Sequence, residues 1–119
     1  MKRFVIVFFS VVILASTAAA LRLVAQESQP QVVTISAKRF EFTPNQITLK
    51  RGEPVTLRVS AEDRDHGLYQ KDLKIDLDLT PDHLSEVTIT PEKSGRFVAI
   101  CDHFCGSGHG NMKMIINVE

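Results

Sequence analysis

The sequence has no tryptophan, a single tyrosine and only two cysteines, and its 14 basic side chains are matched by 14 acidic ones. Without a clustered excess of Lys and Arg to displace counterions from phosphates, the chain does not read as a nucleic-acid binder. Lys2, Arg3 and Arg22 fall within the first 25 residues, so the remainder holds 11 basic against 14 acidic groups and is mildly acidic. Two cysteines permit one disulfide at most. Internal repeats and low-complexity tracts are missing, as is any convincing amphipathic helix beyond the N-terminal segment. There is no acid, base and nucleophile set of the kind an isolated enzyme would need. A length of 119 residues fits one small domain with one core.

The N-terminal segment is apolar from Phe4 to about Leu21, with Lys2 and Arg3 before it and Arg22 after it. This pattern predicts export, with the domain at the outer face of the membrane or in the periplasm. Ala18, Ala19 and Ala20, or Leu23-Val24-Ala25, offer cleavage sites, yet the stretch also reaches the lower edge of what spans a bilayer as a helix. A cleaved signal and a retained anchor over residues 1–25 both remain open. Residues 26–31, Gln-Glu-Ser-Gln-Pro-Gln, read as a short linker, and residues 32–119 as the folded domain.

From Val32 onward apolar residues recur with period two, which predicts strands. Val33 and Ile35 share a face, as do Phe40 and Phe42, Ile47 and Leu49, and then Val55, Leu57 and Val59. Turns are expected at Pro44-Asn45, Arg51-Gly52-Glu53 and Glu92 to Gly95, and Glu62 to Asp65 reads as a solvated loop. Leu73, Ile75, Leu77 and Leu79 alternate with Lys74, Asp76 and Asp78, and Val87 and Ile89 follow the same rule. Phe97, Ala99 and Cys101 alternate with Val98 and Ile100, so both faces are apolar and a central strand is expected. A last strand runs from about Met112 to Val118. Short strands with regular turns predict an all-β, Greek-key antiparallel β-sandwich.

Residues 101–112, Cys-Asp-His-Phe-Cys-Gly-Ser-Gly-His-Gly-Asn-Met, place two thiols, an imidazole and a thioether within one short stretch. Soft sulfur combined with imidazole selects copper, and this mixture suits a site that cycles between oxidation states. Magnesium or calcium would call for carboxylates and carbonyls instead. Gly106, Gly108 and Gly110 would each cost a helix about 1 kcal/mol relative to alanine, so the stretch is expected to be a loop curled around metal. Two thiolates able to bridge allow two copper ions to be held close together, and a further imidazole is needed. His66, in Asp65-His66-Gly67, is the favoured source, in a loop position after a strand. His83 reads as an exposed turn histidine, and His103 as a residue whose backbone carbonyl, rather than its ring, faces the metal.

The pattern Cys-x-x-x-Cys-x-x-x-His-x-x-Met, preceded by Asp65-His66-Gly67, resembles the binuclear copper A domain of cytochrome c oxidase subunit II, a cupredoxin fold. Cys105-Gly106-x-Gly108-His109, with Asn111-Met112, resembles the B-type oxidase subunits most, and the same centre occurs in nitrous oxide reductase. The resemblance covers about Val32 to Glu119. It implies that Cys101 and Cys105 bridge two coppers and that His66 and His109 each bind one. Met112 and the carbonyl of His103 would be weak ligands. It also implies an electron donor such as a c-type cytochrome or a cupredoxin, and a heme-copper catalytic subunit as acceptor. Two departures stand out. His103 replaces a glutamate that many of these subunits use at the contact with the catalytic subunit. The tryptophan through which the family often receives electrons is missing, leaving Tyr69 or Phe104 as substitutes.

A Cys101–Cys105 disulfide is the plainest alternative, but it explains neither His109 nor Met112. Met114, Phe97 and Phe104 are most simply packing residues. Three readings follow: an electron-transfer domain of an oxidase-type complex, the same domain as a stand-alone carrier, and a copper delivery or storage protein.

Overall fold

The structure, a computed structural model, describes residues 29–119. The apolar segment expected to serve as signal or anchor lies outside the described residues. Among them, no helix is long and apolar enough to cross a membrane.

Among the described residues, nine strands form two sheets: β1 Gln31–Lys38, β2 Glu41–Thr43, β3 Gln46–Leu49, β4 Val55–Ala61, β5 His66–Gln70, β6 Ile75–Leu79, β7 Ser85–Ile89, β8 Gly95–Ile100 and β9 Lys113–Val118. One sheet has the order β2-β1-β4-β7 and the other β3-β9-β8-β5-β6. The alternating residues read as one face do point inward. Leu57, Val59, Ile35, Met114 and Ile116 are fully buried between the sheets. Each such side chain contributes about 1.5–3 kcal/mol of transfer free energy, as an upper bound. The fold is the expected all-β sandwich.

Several details differ from the sequence expectation, each for a physical reason. The sheets are mixed, because β1 runs parallel to β4 and β3 parallel to β9; period-two patterning reports which face is buried and not the direction of the partner. His66 opens strand β5 rather than lying in a loop. Leu73 belongs to the turn before β6, where the Gln70 side-chain carbonyl accepts from the backbone N–H groups of Asp72 and Leu73. Phe40 lies in the turn between β1 and β2 instead of sharing a strand face with Phe42. β8 is central, flanked by β9 and β5, but Val98 and Ile100 on its outer face are 38% and 45% exposed, so only one face is covered.

Candidate metal centre

Sheet register brings the ligand-bearing segments together. β5 and β8 are antiparallel with Tyr69 opposite Ile100. Continuing that register places His66 and Gly67, at the start of β5, beside the residues that follow β8. β8 and β9 pair Ile100 with Lys113, and the Cys101 N–H donates to the Met112 carbonyl at 3.1 Å, which closes the neck of the loop from Cys101 to Met112. Within the loop, His109–Asn111 form a single 3₁₀ turn, and Met112 caps it in extended conformation just before β9 rather than inside it.

Only one of the loop's three glycines uses a positive φ, Gly106 at 139°. Gly108 has φ −89° and is needed for space, because a Cβ there would stand 2.5 Å from the Phe40 ring. Gly106 faces the same ring, at 2.9 Å, whereas a Cβ on Gly110 would meet nothing.

The side chains converge at the end of the sandwich. Cys101 and Cys105 are buried free thiols whose Sγ atoms lie 4.0 Å apart, far beyond the S–S bond length of about 2.05 Å. His66 Nδ1 is 3.8 Å from Cys101 Sγ, and His109 Nδ1 is 3.6 Å from Cys105 Sγ. Met112 Sδ is 3.7 Å from Cys105 Sγ, and the His103 carbonyl oxygen is 3.2 Å from Cys101 Sγ. Each thiol therefore has its own imidazole and its own weaker donor. Two donors each about 2.2 Å from one first-row ion at a tetrahedral angle lie roughly 3.6 Å apart, so the spacing fits shared metal coordination. The thioether and thiols make copper the better match than zinc or an oxygen-seeking cation.

His103 turns its ring away, with Nε2 2.7 Å from Asp78 Oδ1 on β6. His83 is outside the cluster as well, its Nδ1 2.7 Å from Thr80 Oγ1 in an exposed turn. A cleft of about 770 Å³, lined by residues including Asp72, Lys74, Glu92 and Phe97, shares no residue with the cluster and has no part in this chemistry.

Asp63 also belongs to the site, and the sequence pattern does not mark it. It is hidden in a charged run that reads as solvated, although its place three residues before a histidine is a usable signal. His66 is buried, and its Nε2 lies 2.7 Å from Asp63 Oδ1. Asp63 Oδ2 in turn accepts from the Arg39 backbone N–H at 2.9 Å. Burial alone would raise the Asp63 pKa; the Arg39 N–H, the His66 ring and the Arg64 N–H outweigh it and lower the pKa to about 2. An ionised carboxylate can only accept, so the His66 ring donates from Nε2 and leaves Nδ1 as the lone-pair nitrogen facing Cys101. Burial pushes the Cys105 thiol pKa up, and the neighbouring Cys101 adds to that shift.

The chain is similar to subunits of known oxidases. Cytochrome c oxidase subunit 2 of Thermus thermophilus is 30% identical over 80 residues, which make up 67% of this chain and 59% of that protein. The chain thus spans about three-fifths of the length of that curated relative. The periplasmic domain of cytochrome oxidase subunit II from Bradyrhizobium japonicum superposes with a TM-score of 0.71 at 17% identity, covering 78% of this chain and 86% of that one. A chain of a heme-copper terminal oxidase dimer superposes with a TM-score of 0.68 at 18% identity, with full coverage of both chains. These two likenesses carry the fold alone. The cupredoxin-like domain family matches residues 4–115, nearly the whole sequence, and the chain belongs to that family.

Proposed function

We propose that the domain is an electron-transfer module built on a pair of copper ions. The observation that carries this reading is the doubled donor set: two thiols 4.0 Å apart, each with its own imidazole and its own weaker donor. When bound, the copper pair would supply a single-electron carrier whose charge is shared over two metals. His66, Cys101, Cys105, His109 and Met112 would hold it with side chains, and His103 with its carbonyl. The protein's part is to hold these donors in place before the metal arrives and to keep water from the sulfurs. Cys101, Cys105 and Met112 are all at most 2% exposed.

The likeness to subunit 2 of cytochrome c oxidase supports a place in an oxidase-type respiratory complex, at the outer face of the membrane or in the periplasm. There the domain would take electrons from a c-type cytochrome or cupredoxin and hand them to a heme-copper subunit. Phe104 is 75% exposed, and its ring centroid lies 5.8 Å from that of His109, a placement that favours it over the half-buried Tyr69 as the surface aromatic at the electron-entry point. Reconstitution of the reduced domain with cuprous and cupric copper, followed by metal analysis, tests the reading. Two coppers per chain with an intense visible absorption are expected; one copper per chain contradicts it.

A further inference from the structure

His103 has its two ends in different places. Its carbonyl oxygen stands 3.2 Å from Cys101 Sγ, inside the donor cluster. Its ring donates to Asp78 Oδ1 at 2.7 Å, with Asp102 Oδ1 at 4.0 Å. Asp78 is the cross-strand partner of Gly67, the residue next to His66. A Cβ on Gly67 would collide with Asp102 Oδ1 and with His103 Cδ2, so the ring rests against bare backbone that no other residue type would leave open. Main-chain hydrogen bonds tie the loop at Cys101 and again where the His109 N–H donates to the Gly106 carbonyl. The His103 side-chain tie falls between those two points. Ring and carbonyl are joined through one Cα, so fixing the ring limits how far the carbonyl can swing.

We propose that His103 is a positioning residue: its ring, seated on Gly67 and Asp78, holds its own main-chain carbonyl against Cys101 and so tunes the reduction potential of the copper pair. This rests on the copper reading above. A carbonyl oxygen is a hard donor that favours the more oxidised, more highly charged state, so holding it close lowers the potential and releasing it raises the potential. Asp78 and His103 are both substantially exposed, with side-chain exposures of 82% and 45%. Their pairing therefore adds little to overall stability. The role is local.

The test uses the full chain carrying His103→Ala, Asp78→Ala or Asp78→Asn, with Arg58→Ala as a surface control on the other sheet. Copper count, melting temperature and midpoint potential are measured on the loaded protein, and amide exchange over residues 102–105 on the apo-protein. His103→Ala and Asp78→Ala should keep both coppers and the melting temperature, raise the potential, and speed exchange in the apo-protein. Asp78→Asn keeps an acceptor oxygen and should stay near the parent, as should Arg58→Ala. A parent-like potential and exchange rate in Asp78→Ala overturns the proposal, and so does loss of a copper in His103→Ala, which would make the ring itself, and not only the carbonyl, necessary for holding the metal. If the parent chain itself fails to take up two coppers, the copper reading falls, while apo exchange still reports whether the seat holds the loop.

Discussion

Asp63 and His66 form a 2.7 Å hydrogen bond between Oδ1 and Nε2, and that bond decides which nitrogen of the buried imidazole faces Cys101. Without the carboxylate the ring loses both its tautomer preference and its orientation. Removing such a partner of a metal-ligating histidine typically costs about 10- to 100-fold in metal affinity. Asp63→Ala is expected to weaken copper binding within that range, read by competition with a chelator of known affinity. Parent affinity in the variant would remove Asp63 from the site.

The same carboxylate sets an acid limit on the apo-protein. Its folded pKa, lowered to about 2, lies below the unfolded value of about 3.9. The stabilisation is therefore complete above the unfolded pKa and is lost as pH falls through about 2. Denaturant midpoints of the apo-protein should fall across that window, and in Asp63→Asn this part of the decline should be absent.

Gly108 and Gly110 separate space from backbone freedom. Gly108→Ala drives a methyl group into the Phe40 ring. Overpacking of this kind costs about 1–3 kcal/mol. Gly110→Ala meets no atom and has no positive φ to oppose it, so it should be neutral or slightly stabilising. Chemical denaturation of the two apo variants gives the comparison, and equal stabilities would contradict the assigned packing of Phe40.

Met112 distinguishes a carrier from a store. A weak thioether donor tunes the potential more than it holds the metal. Met112→Leu should keep both coppers and raise the midpoint potential by voltammetry. A large loss of cuprous affinity with no redox-active centre left would favour storage or delivery instead.

Much of this architecture is legible in the order of the residues. Val55, Leu57 and Val59 alternate because β4 packs one face on the core, and five soft or imidazole donors stand out because few other roles call for that mixture. β5 is not legible. His66, Gly67 and Leu68 are buried in succession, so the alternation that marks a half-exposed strand never develops. Parallel pairing of β1 with β4 leaves no trace, since alternation encodes the buried face and not the direction of the neighbouring strand. Asp63 is masked by the charged residues around it, which share its composition but not its bond to His66. Phe40 is masked because it packs on Gly108, a residue with no side chain to hint at the contact.

In the proposed centre, Cys101 and Cys105 join two metals into one redox unit. Electron paramagnetic resonance of the copper-loaded domain tests it most directly. Hyperfine structure from one unpaired electron shared equally over two copper nuclei is expected, abolished in Cys101→Ser and Cys105→Ser and in His66→Ala but retained in His83→Ala. Hyperfine structure from a single copper nucleus in the parent protein would contradict it.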